Sequence, residues 1–173
     1  IQSRLSSYSC APAEDAARDN RKVTITVWYP ALYTEGASDT PFQIIFNDLE
    51  PDPGGAPYPL IVSSTRMARD LAPYLVSHGF AWASVDRIDT YAKMNEEMYS
   101  QPLDILFALD QVATDPPEGL AGLIDADHAG AIGYSFDGYN ALAMSGARVD
   151  PDHYRAGCAN PDAATQAIQS RLS

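Results

Sequence analysis

One short motif in this sequence has residue types and spacing that suit nucleophilic chemistry. Residues 133–138 read Gly-Tyr-Ser-Phe-Asp-Gly; a small apolar stretch precedes them and helical spacing follows. A glycine two positions before a serine lets the chain turn sharply from a strand into a helix, and such a turn exposes the serine hydroxyl. The helix N-terminus and the next backbone N–H can then stabilise a negatively charged oxygen. The motif therefore predicts Ser135 as a nucleophile and the N–H of Phe136 as an oxyanion donor.

The two cysteines, Cys10 and Cys158, are too few for a four-ligand metal site or a redox CxxC pair. They are either two unrelated buried thiols or a disulfide, and both interpretations stay open. Localisation is also open; a bridge would favour a secreted or periplasmic protein. No metal site and no cofactor is predicted, because the acidic loop residues lack calcium-loop spacing and no glycine-rich nucleotide pattern follows a strand.

The surrounding sequence predicts the elements that must position the motif. Alternating or wholly apolar runs bounded by turn residues indicate strands, and apolar residues at helical spacing indicate helices. From residue 58 onward the two alternate, which favours a parallel sheet with right-handed crossovers. The fold class is therefore α/β, a mostly parallel sheet flanked by helices. Strands are predicted at 22–29 (ended by Pro30), 42–46, 58–63, 80–85 and 128–133, and helices at 70–78, 102–113 and 135–147, with short helical pieces after Pro151 and Pro161.

Several stretches resemble the dienelactone-hydrolase and platelet-activating-factor-acetylhydrolase-like branch of the α/β-hydrolases, which includes bacterial esterases. The resemblance covers most of residues 22–162. It implies a three-layer α/β-hydrolase-like fold and hydrolysis of a small ester, of short or medium acyl chain, through an acyl-enzyme at Ser135. The stretches are Val-Trp-Tyr-Pro-Ala at 27–31, Gln-Pro-Leu-Asp at 101–104, Asp-His-Ala-Gly at 127–130 running into Gly-Tyr-Ser-Phe at 133–136, and Gly-Ala-Arg-Val-Asp-Pro at 146–151.

Two departures from the family pattern affect the predicted site. The family has a small residue two positions after the serine, where this chain has Asp137; a carboxylate there is expected to crowd the turn and to oppose a developing alkoxide. The family's glycine-containing oxyanion loop is replaced by Ser-Thr-Arg-Met at 64–67. A backbone N–H of Thr65 or of Arg66 is the expected second oxyanion donor.

A third departure concerns the catalytic acid and histidine, which in this fold follow the serine on later strands. Only 38 residues follow Ser135 (173 minus 135), and no strand is predicted among them. His78 and His128 are predicted at the amino ends of strands, the wrong edge of the sheet, and His153 reaches Ser135 only if its segment folds back. Asp86 lies at the correct edge, with loop capping as its expected role. The acid and the histidine are therefore not found, and the sheet is predicted to lack its C-terminal strands.

Charge restricts the classes of partner. The chain has 23 Asp and Glu against 11 Lys and Arg, a formal net charge of −12. An acidic surface repels phosphate backbones and anionic membranes, so neither nucleic acid nor a membrane is an expected partner. No apolar run is long enough to span a bilayer, and the first ten residues show no signal-peptide pattern.

The two ends share the hexapeptide Ile-Gln-Ser-Arg-Leu-Ser, at residues 1–6 and 168–173. We interpret it as an overlap, so that residues 1–173 form a single α/β-hydrolase-like domain in which 1–16 belong with 150–173 as a helical, cap-like segment. A sheet that ends at the His128 strand leaves an edge that self-association or a second chain would cover. The alternative function is thus a non-catalytic or truncated hydrolase-like module that binds or assembles with a partner chain.

Overall fold

The structure, a computed structural model, describes residues 4–9, 12–32, 45–47, 49–86, 97–148 and 150–157, with single residues 160, 166 and 170. These residues contain eight strands, four α-helices and a short 3-10 helix at Ala16–Arg18. The strands are β1 Arg4–Ser9, β2 Ala13–Asp15, β3 Arg21–Val23, β4 Ile25–Ala31, β5 Ile45–Asn47, β6 Tyr58–Ser64, β7 Ala81–Val85 and β8 Ile124–Ala131. The helices are α1 Thr65–Val76, α2 Glu97–Thr114, α3 Phe136–Met144 and α4 Pro151–Ala156.

Six strands form one mixed sheet in the order β5-β1-β4-β7-β6-β8, and β2 and β3 form a separate two-stranded ribbon. β6 pairs in parallel with both β7 and β8, as the predicted alternation of strands and helices requires. β4 runs antiparallel to β7 and to β1, which makes it the reversed strand of the six described. The carboxyl ends of β6, β7 and β8 therefore meet at one edge of the sheet, and β8 ends the strand order.

Alternation along the strands divides the core between the two faces of the sheet. In β7, Trp82 contributes to one cluster and its neighbours Ala81 and Ala83 to the other. The first cluster lies under α1 and the second under α2, so these helices cover opposite faces. The α1 cluster comprises Trp28, Met67, Ala68, Ala72, Val76 and Trp82; the α2 cluster includes Val27, Tyr29, Leu60, Val62, Val85, Ile105, Ala108 and Val112.

The helix after β6 begins earlier than predicted. The sequence predicts a start at Asp70 with Pro73 in the first turn, but α1 begins at Thr65, directly after β6, and Pro73 lies inside it. Met67 and Ala68 in its first turn pack against the tryptophan pair of the sheet. Burial of these apolar side chains offsets the backbone hydrogen bond that Pro73 removes. No loop separates β6 from α1, so Thr65 and Arg66, the predicted second oxyanion donors, lie in a helix and not in a loop.

The structure also differs from the prediction near the beginning of the chain. Residues 1–16 are expected to join residues 150–173 in a helical segment, but Arg4–Ser9 form β1, between β4 and β5 in the main sheet. Ala13–Asp15 pair with Arg21–Val23. β7 pairs with one edge of β4, and the opposite edge would otherwise present unpaired N–H and C=O groups. β1 supplies the partners of these groups. β4 continues through Pro30, because β7 pairs with it only as far as Trp28.

Candidate active site

Ser135 occupies the turn between β8 and α3 in a backbone conformation that non-glycine residues rarely adopt. Its φ is 61° and its ψ is −121°, and α3 begins at the next residue, Phe136. A residue held in such a region costs roughly 1–3 kcal/mol and persists only where surrounding structure enforces it. Ser135 and its neighbour Tyr134 are both exposed, Tyr134 by 73%. The serine hydroxyl is therefore carried on a sharp, strained turn that is open to solvent.

Gly133 allows this turn to be tight. A Cβ placed on Gly133 would lie 1.9 Å from the backbone oxygen of Asp137 and 2.6 Å from the nitrogen of Gly138, distances that no real contact reaches. The end of β8 thus meets the first turn of α3 without room for a side chain. The N–H groups of Gly138 and Tyr139 donate to the Ser135 carbonyl at 3.0 and 3.3 Å, which closes that first turn.

The sequence predicts that the Asp137 side chain crowds the turn, but in the structure it does not. Its backbone is helical and its side chain is 1% exposed, so a glycine is not needed at this position. One carboxylate oxygen accepts from the Asn140 side-chain amide at 3.4 Å. The carboxylate is therefore held on the buried face of α3, whereas Ser135 is exposed. The carboxyl group nevertheless lies in the first turn of the helix that begins after Ser135.

Thr65 and Arg66, the predicted second oxyanion donors, are the first two residues of α1. β6 and β8 are neighbours, and the N–H of Ile132 donates to the Val62 carbonyl at 3.3 Å. The turn after β8 and the start of α1 therefore lie at the same edge of the sheet. First-turn N–H groups point along the helix axis away from the helix, and both helix N-termini carry partial positive charge. The structure thus brings two helix N-termini, those of α1 and α3, to the carboxyl edge of the sheet. The family pattern described above would place one helix N-terminus and one oxyanion loop there.

Asp86 lies at the same edge and is bound by side chains of two other elements. It directly follows β7, and its carboxylate accepts from the hydroxyl of Thr65 and, at 3.4 Å, from that of Thr26. The Thr65 hydroxyl also lies 2.7 Å from the Val85 carbonyl. These contacts agree with the capping role expected for Asp86 and fix the first residue of α1 to the end of β7.

The three histidines lie elsewhere. His78 follows α1, where its Nδ1 is 2.7 Å from the Tyr74 carbonyl and its ring packs on that of Tyr74. His128 lies in β8 with Nδ1 2.7 Å from Asp125 Oδ2, and its side chain is 80% exposed. His153 is exposed in α4. Among the described residues, no imidazole hydrogen-bonds to Ser135, and the acid and base expected for a serine nucleophile are not brought to it.

Three further points concern the cysteines, metal binding and membrane-spanning helices. Cys10 and Cys158 lie outside the described residues. Within the described ranges, no group of three His, Cys, Asp or Glu side chains has an arrangement that could hold a metal ion. In the same part of the chain, no helix has both the length and the apolar character needed to cross a bilayer.

Burial raises the pKa of two tyrosines. In α3, desolvation raises the pKa of Tyr139 above its ordinary value, and the ring of Tyr139 packs against that of Phe136 at 5.5 Å. Desolvation also raises the pKa of Tyr58 in β6, where the N–H of Gly55 lowers it and the charge of Asp52 raises it. The Tyr139 phenol, one turn into the helix that follows Ser135, therefore ionises only at a more alkaline pH than an exposed phenol, because burial raises its pKa.

Two buried amides beside the turn were not among the predicted site residues. Gln101 in α2 and Asn140 in α3 are each 1% exposed, and the Asn140 amide donates to the side-chain oxygen of Gln101. The available signal was weak, because a polar residue within a helix is usually exposed and nothing in the spacing marks these two as buried. Their burial depends on how α2 packs against α3, which residue spacing alone does not determine.

Comparisons with known proteins show the fold and no family. No family model matches the chain, and no curated protein matches it. Among solved structures, it is similar to a ferulic acid esterase from Streptomyces cinnamoneus, with a TM-score of 0.63 and 19% identity, over 84% of this chain and 56% of that one. The chain spans about half the length of that esterase. It therefore has a mixed α/β fold similar to that of an esterase, and the closer resemblance inferred from its motifs stays a prediction.

Proposed function

We propose that this chain is a serine hydrolase of the α/β-hydrolase type that cleaves carboxylic esters, with Ser135 as its nucleophile and a small ester as its substrate. The observation that carries the proposal is the strained backbone of Ser135, with φ of 61° and ψ of −121°. Strain of this kind concentrates at functional sites. The likeness of the fold to that of an esterase supports the same reaction class.

In the proposed reaction, Oγ of Ser135 attacks the carbonyl carbon of the ester while its proton passes to a general base. The carbonyl electron pair moves onto oxygen, and the N–H of Phe136 and that of Thr65 or Arg66 donate to the resulting oxyanion. Collapse of this intermediate expels the alcohol, which takes up a proton, and leaves the acyl group on Ser135. Water then attacks the acyl-enzyme and releases the acid. We assign the general base and its partner carboxylate to groups outside the described residues.

The arrangement of helices supports a three-layer α/β-hydrolase, and the more specific proposal of the dienelactone-hydrolase and platelet-activating-factor-acetylhydrolase-like branch is based on the sequence motifs. α1 and α2 cover opposite faces of the sheet, and the serine follows the strand at one end of it. Acyl chains of short or medium length are the proposed substrates. No metal or cofactor is needed for this chemistry, which requires a nucleophile, a general base, oxyanion donors and water.

A fluorophosphonate probe tests the proposal directly, because it reacts with activated serines. We expect the wild-type chain to be labelled and Ser135→Ala to lose the label. Ser145→Ala is the matched control, since Ser145 is also exposed and ends the same helix; it should label like the wild type. Absence of labelling of the folded wild-type chain, or labelling that persists in Ser135→Ala, would contradict the proposal.

A second candidate function is a non-catalytic module that assembles with a partner chain or with itself. The specific observation in its favour is the exposed edge of the sheet: β8 ends the strand order, and its residues 128–131 are all exposed. An open strand edge presents N–H and C=O groups that another strand can bind.

Sedimentation across a range of concentrations distinguishes this candidate. If β8 is an assembly edge, the wild type associates and Ala129→Lys, which adds charge to the exposed edge, remains monomeric. Ala113→Lys, on the exposed side of α2, is the control and should associate normally. A wild-type monomer at every concentration rules out self-association.

A further inference from the structure

The buried side of α3 is polar where it meets α2. Asp137 and Asn140 lie one turn apart on α3, and each is 1% exposed. The Asn140 side-chain amide donates to Gln101 Oε1 and also lies 3.4 Å from Asp137 Oδ1. One amide therefore joins the first turn of α3 to α2. The link is directional, unlike an apolar contact, because a hydrogen bond weakens steeply when its angle changes.

α2 is itself fixed by a second set of contacts, one turn further along the helix. Asp104, one turn after Gln101, is fully buried and binds Arg21 of β3 through two parallel hydrogen bonds of 2.8 and 2.9 Å. Arg18 also contacts Asp104, at 2.8 Å, and donates to the Ser100 carbonyl at 3.4 Å. These contacts restrict rotation of α2 about its axis. Gln101 is thereby presented to α3 in a defined direction.

The turn at Ser135 requires such support. Its strained conformation persists only when neighbouring structure enforces it. Gly133 permits the close approach of β8 to α3 but does not keep the two together. The Ser135 carbonyl accepts from Gly138 and Tyr139, so any rotation or retreat of the first turn of α3 changes the backbone of Ser135.

We propose that Gln101 and Asn140 are positioning residues for Ser135: their amide contact holds the first turn of α3 against α2 and thereby maintains the serine in its strained, exposed conformation. The proposal deepens the proposed function and rests on it for the role of Ser135. Neither residue touches the substrate. They act on Ser135 through α3. Asp104, with Arg18 and Arg21, acts less directly, because it fixes the helix that carries Gln101.

The decisive variant replaces both amides by apolar residues of similar size, Gln101→Met with Asn140→Leu. Each single change breaks the hydrogen bond between the two buried amides and should destabilise the fold, whereas the double change removes both amides and should restore part of the stability. The Asp137 carboxylate loses the Asn140 amide in the Asn140→Leu single variant as well as in the double variant, so this loss cancels when the two are compared. Apolar contacts are non-directional, so the double variant should not restore the position of Ser135. We expect its fluorophosphonate labelling to be about tenfold slower than wild type, because small misplacements of reacting groups reduce rates strongly. If labelling recovers together with stability, the residues have a structural role only and the proposal is overturned.

Amide hydrogen exchange gives a readout that does not depend on the reactivity of Ser135. In the double variant, exchange at Gly138 and Tyr139 should be at least tenfold faster than in the wild type at equal global stability. If exchange is unchanged in the double variant, the positioning proposal is wrong, whether or not the wild type is labelled. If the wild type is not labelled, the proposed function is wrong, independently of the exchange result. Gln101→Asn, which shortens the side chain by one methylene, should show both effects in weaker form if the double variant does not fold. Gln111→Met, on the same helix, is the control and should show neither.

Discussion

Gly133 and Ser135 make the strand-to-helix turn possible for different steric reasons. At Gly133 a side chain would overlap the backbone of Asp137, whereas at Ser135 the side chain fits but the backbone is strained. The sequence predicts both, because a Gly-x-Ser motif between a strand and a helix requires a sharp turn. The placement of the Asp137 carboxylate could not be predicted, since it depends on the packing of Asn140 against α2.

Replacing Gly133 by alanine should destabilise the protein by about 3 kcal/mol or more, because backbone must move to admit the methyl group. Gly130→Ala is the matched control, since a Cβ at Gly130 meets nothing within 4 Å and should change the free energy of unfolding by less than about 0.5 kcal/mol. Denaturant unfolding measures both. Similar stabilities of the two variants would show that β8 and α3 are not in close contact.

Asp137→Asn tests the electrostatics of the same turn. A negative charge in the first turn of α3 stabilises the helix but opposes charge developing on an oxyanion at its N-terminus. Removing it should raise the rate of fluorophosphonate labelling roughly two- to fivefold and lower stability by about 0.3–1 kcal/mol. Asp110→Asn, on the exposed face of α2, should change neither. Slower labelling of Asp137→Asn would indicate that the carboxylate assists the serine.

At the scale of elements, tertiary packing determines where the helices begin. Turn and capping residues place the start of the first helix at Asp70, yet α1 begins at Thr65, where Met67 and Ala68 are buried. β7 and the interior of β6 were predictable, since a wholly apolar run has few alternatives in an α/β chain. The role of α2 was only partly predictable: its apolar face is evident in the sequence, but the buried Gln101 and Asp104 are not.

Asp104→Asn should destabilise the protein by about 3 kcal/mol, because Arg18 and Arg21 would lose the buried anion that they share. The estimate is at the low end of the range for buried pairs, since the two arginine side chains are 21% and 26% exposed. Glu14→Gln is the comparison: Glu14 and Lys22 form an exposed pair at 3.9 Å, and its loss should cost less than about 1 kcal/mol. Thermal and denaturant unfolding measure both. Equal effects would mean that Asp104 is not buried with its partners in solution.

At the scale of the whole molecule, the parallel direction of β6, β7 and β8, the place of β8 at the end of the described sheet and the edge where Ser135 lies follow from the sequence. The position of β1 in the sheet does not follow from the sequence, because pairing between strands distant in sequence depends on which strand edge needs partners. The sequence predicts His78 and His128 at the amino ends of strands, and among the described residues neither of these imidazoles hydrogen-bonds to Ser135. The chain spans 56% of the length of the esterase with a similar fold, and its activity therefore remains a proposal.

Alkaline pH should destabilise the whole molecule through its buried phenols. The pKa of Tyr139 is raised above the ordinary value of 10.0 by burial, so the unfolded chain releases this proton first as the pH rises. The contribution is fully present below pH 10.0 and is lost as the pH rises through the higher pKa of the folded state. Tyr139→Phe should make the fall in the free energy of unfolding between about pH 9 and about pH 11 less steep. Tyr74→Phe is the control, since Tyr74 is 63% exposed; an unaltered slope in Tyr139→Phe would refute the assignment.

The pairing of Trp28 with Trp82 across β4 and β7 has a spectroscopic consequence. They are the two tryptophans of the chain, they are 8% and 0% exposed, and both lie in the cluster under α1. Indole emission therefore reports on the α1 side of the sheet, and a local opening of α3 away from α2 leaves it unchanged. Unfolding curves followed by tryptophan emission and by far-ultraviolet circular dichroism will coincide only if the two faces of the sheet melt as one cooperative unit.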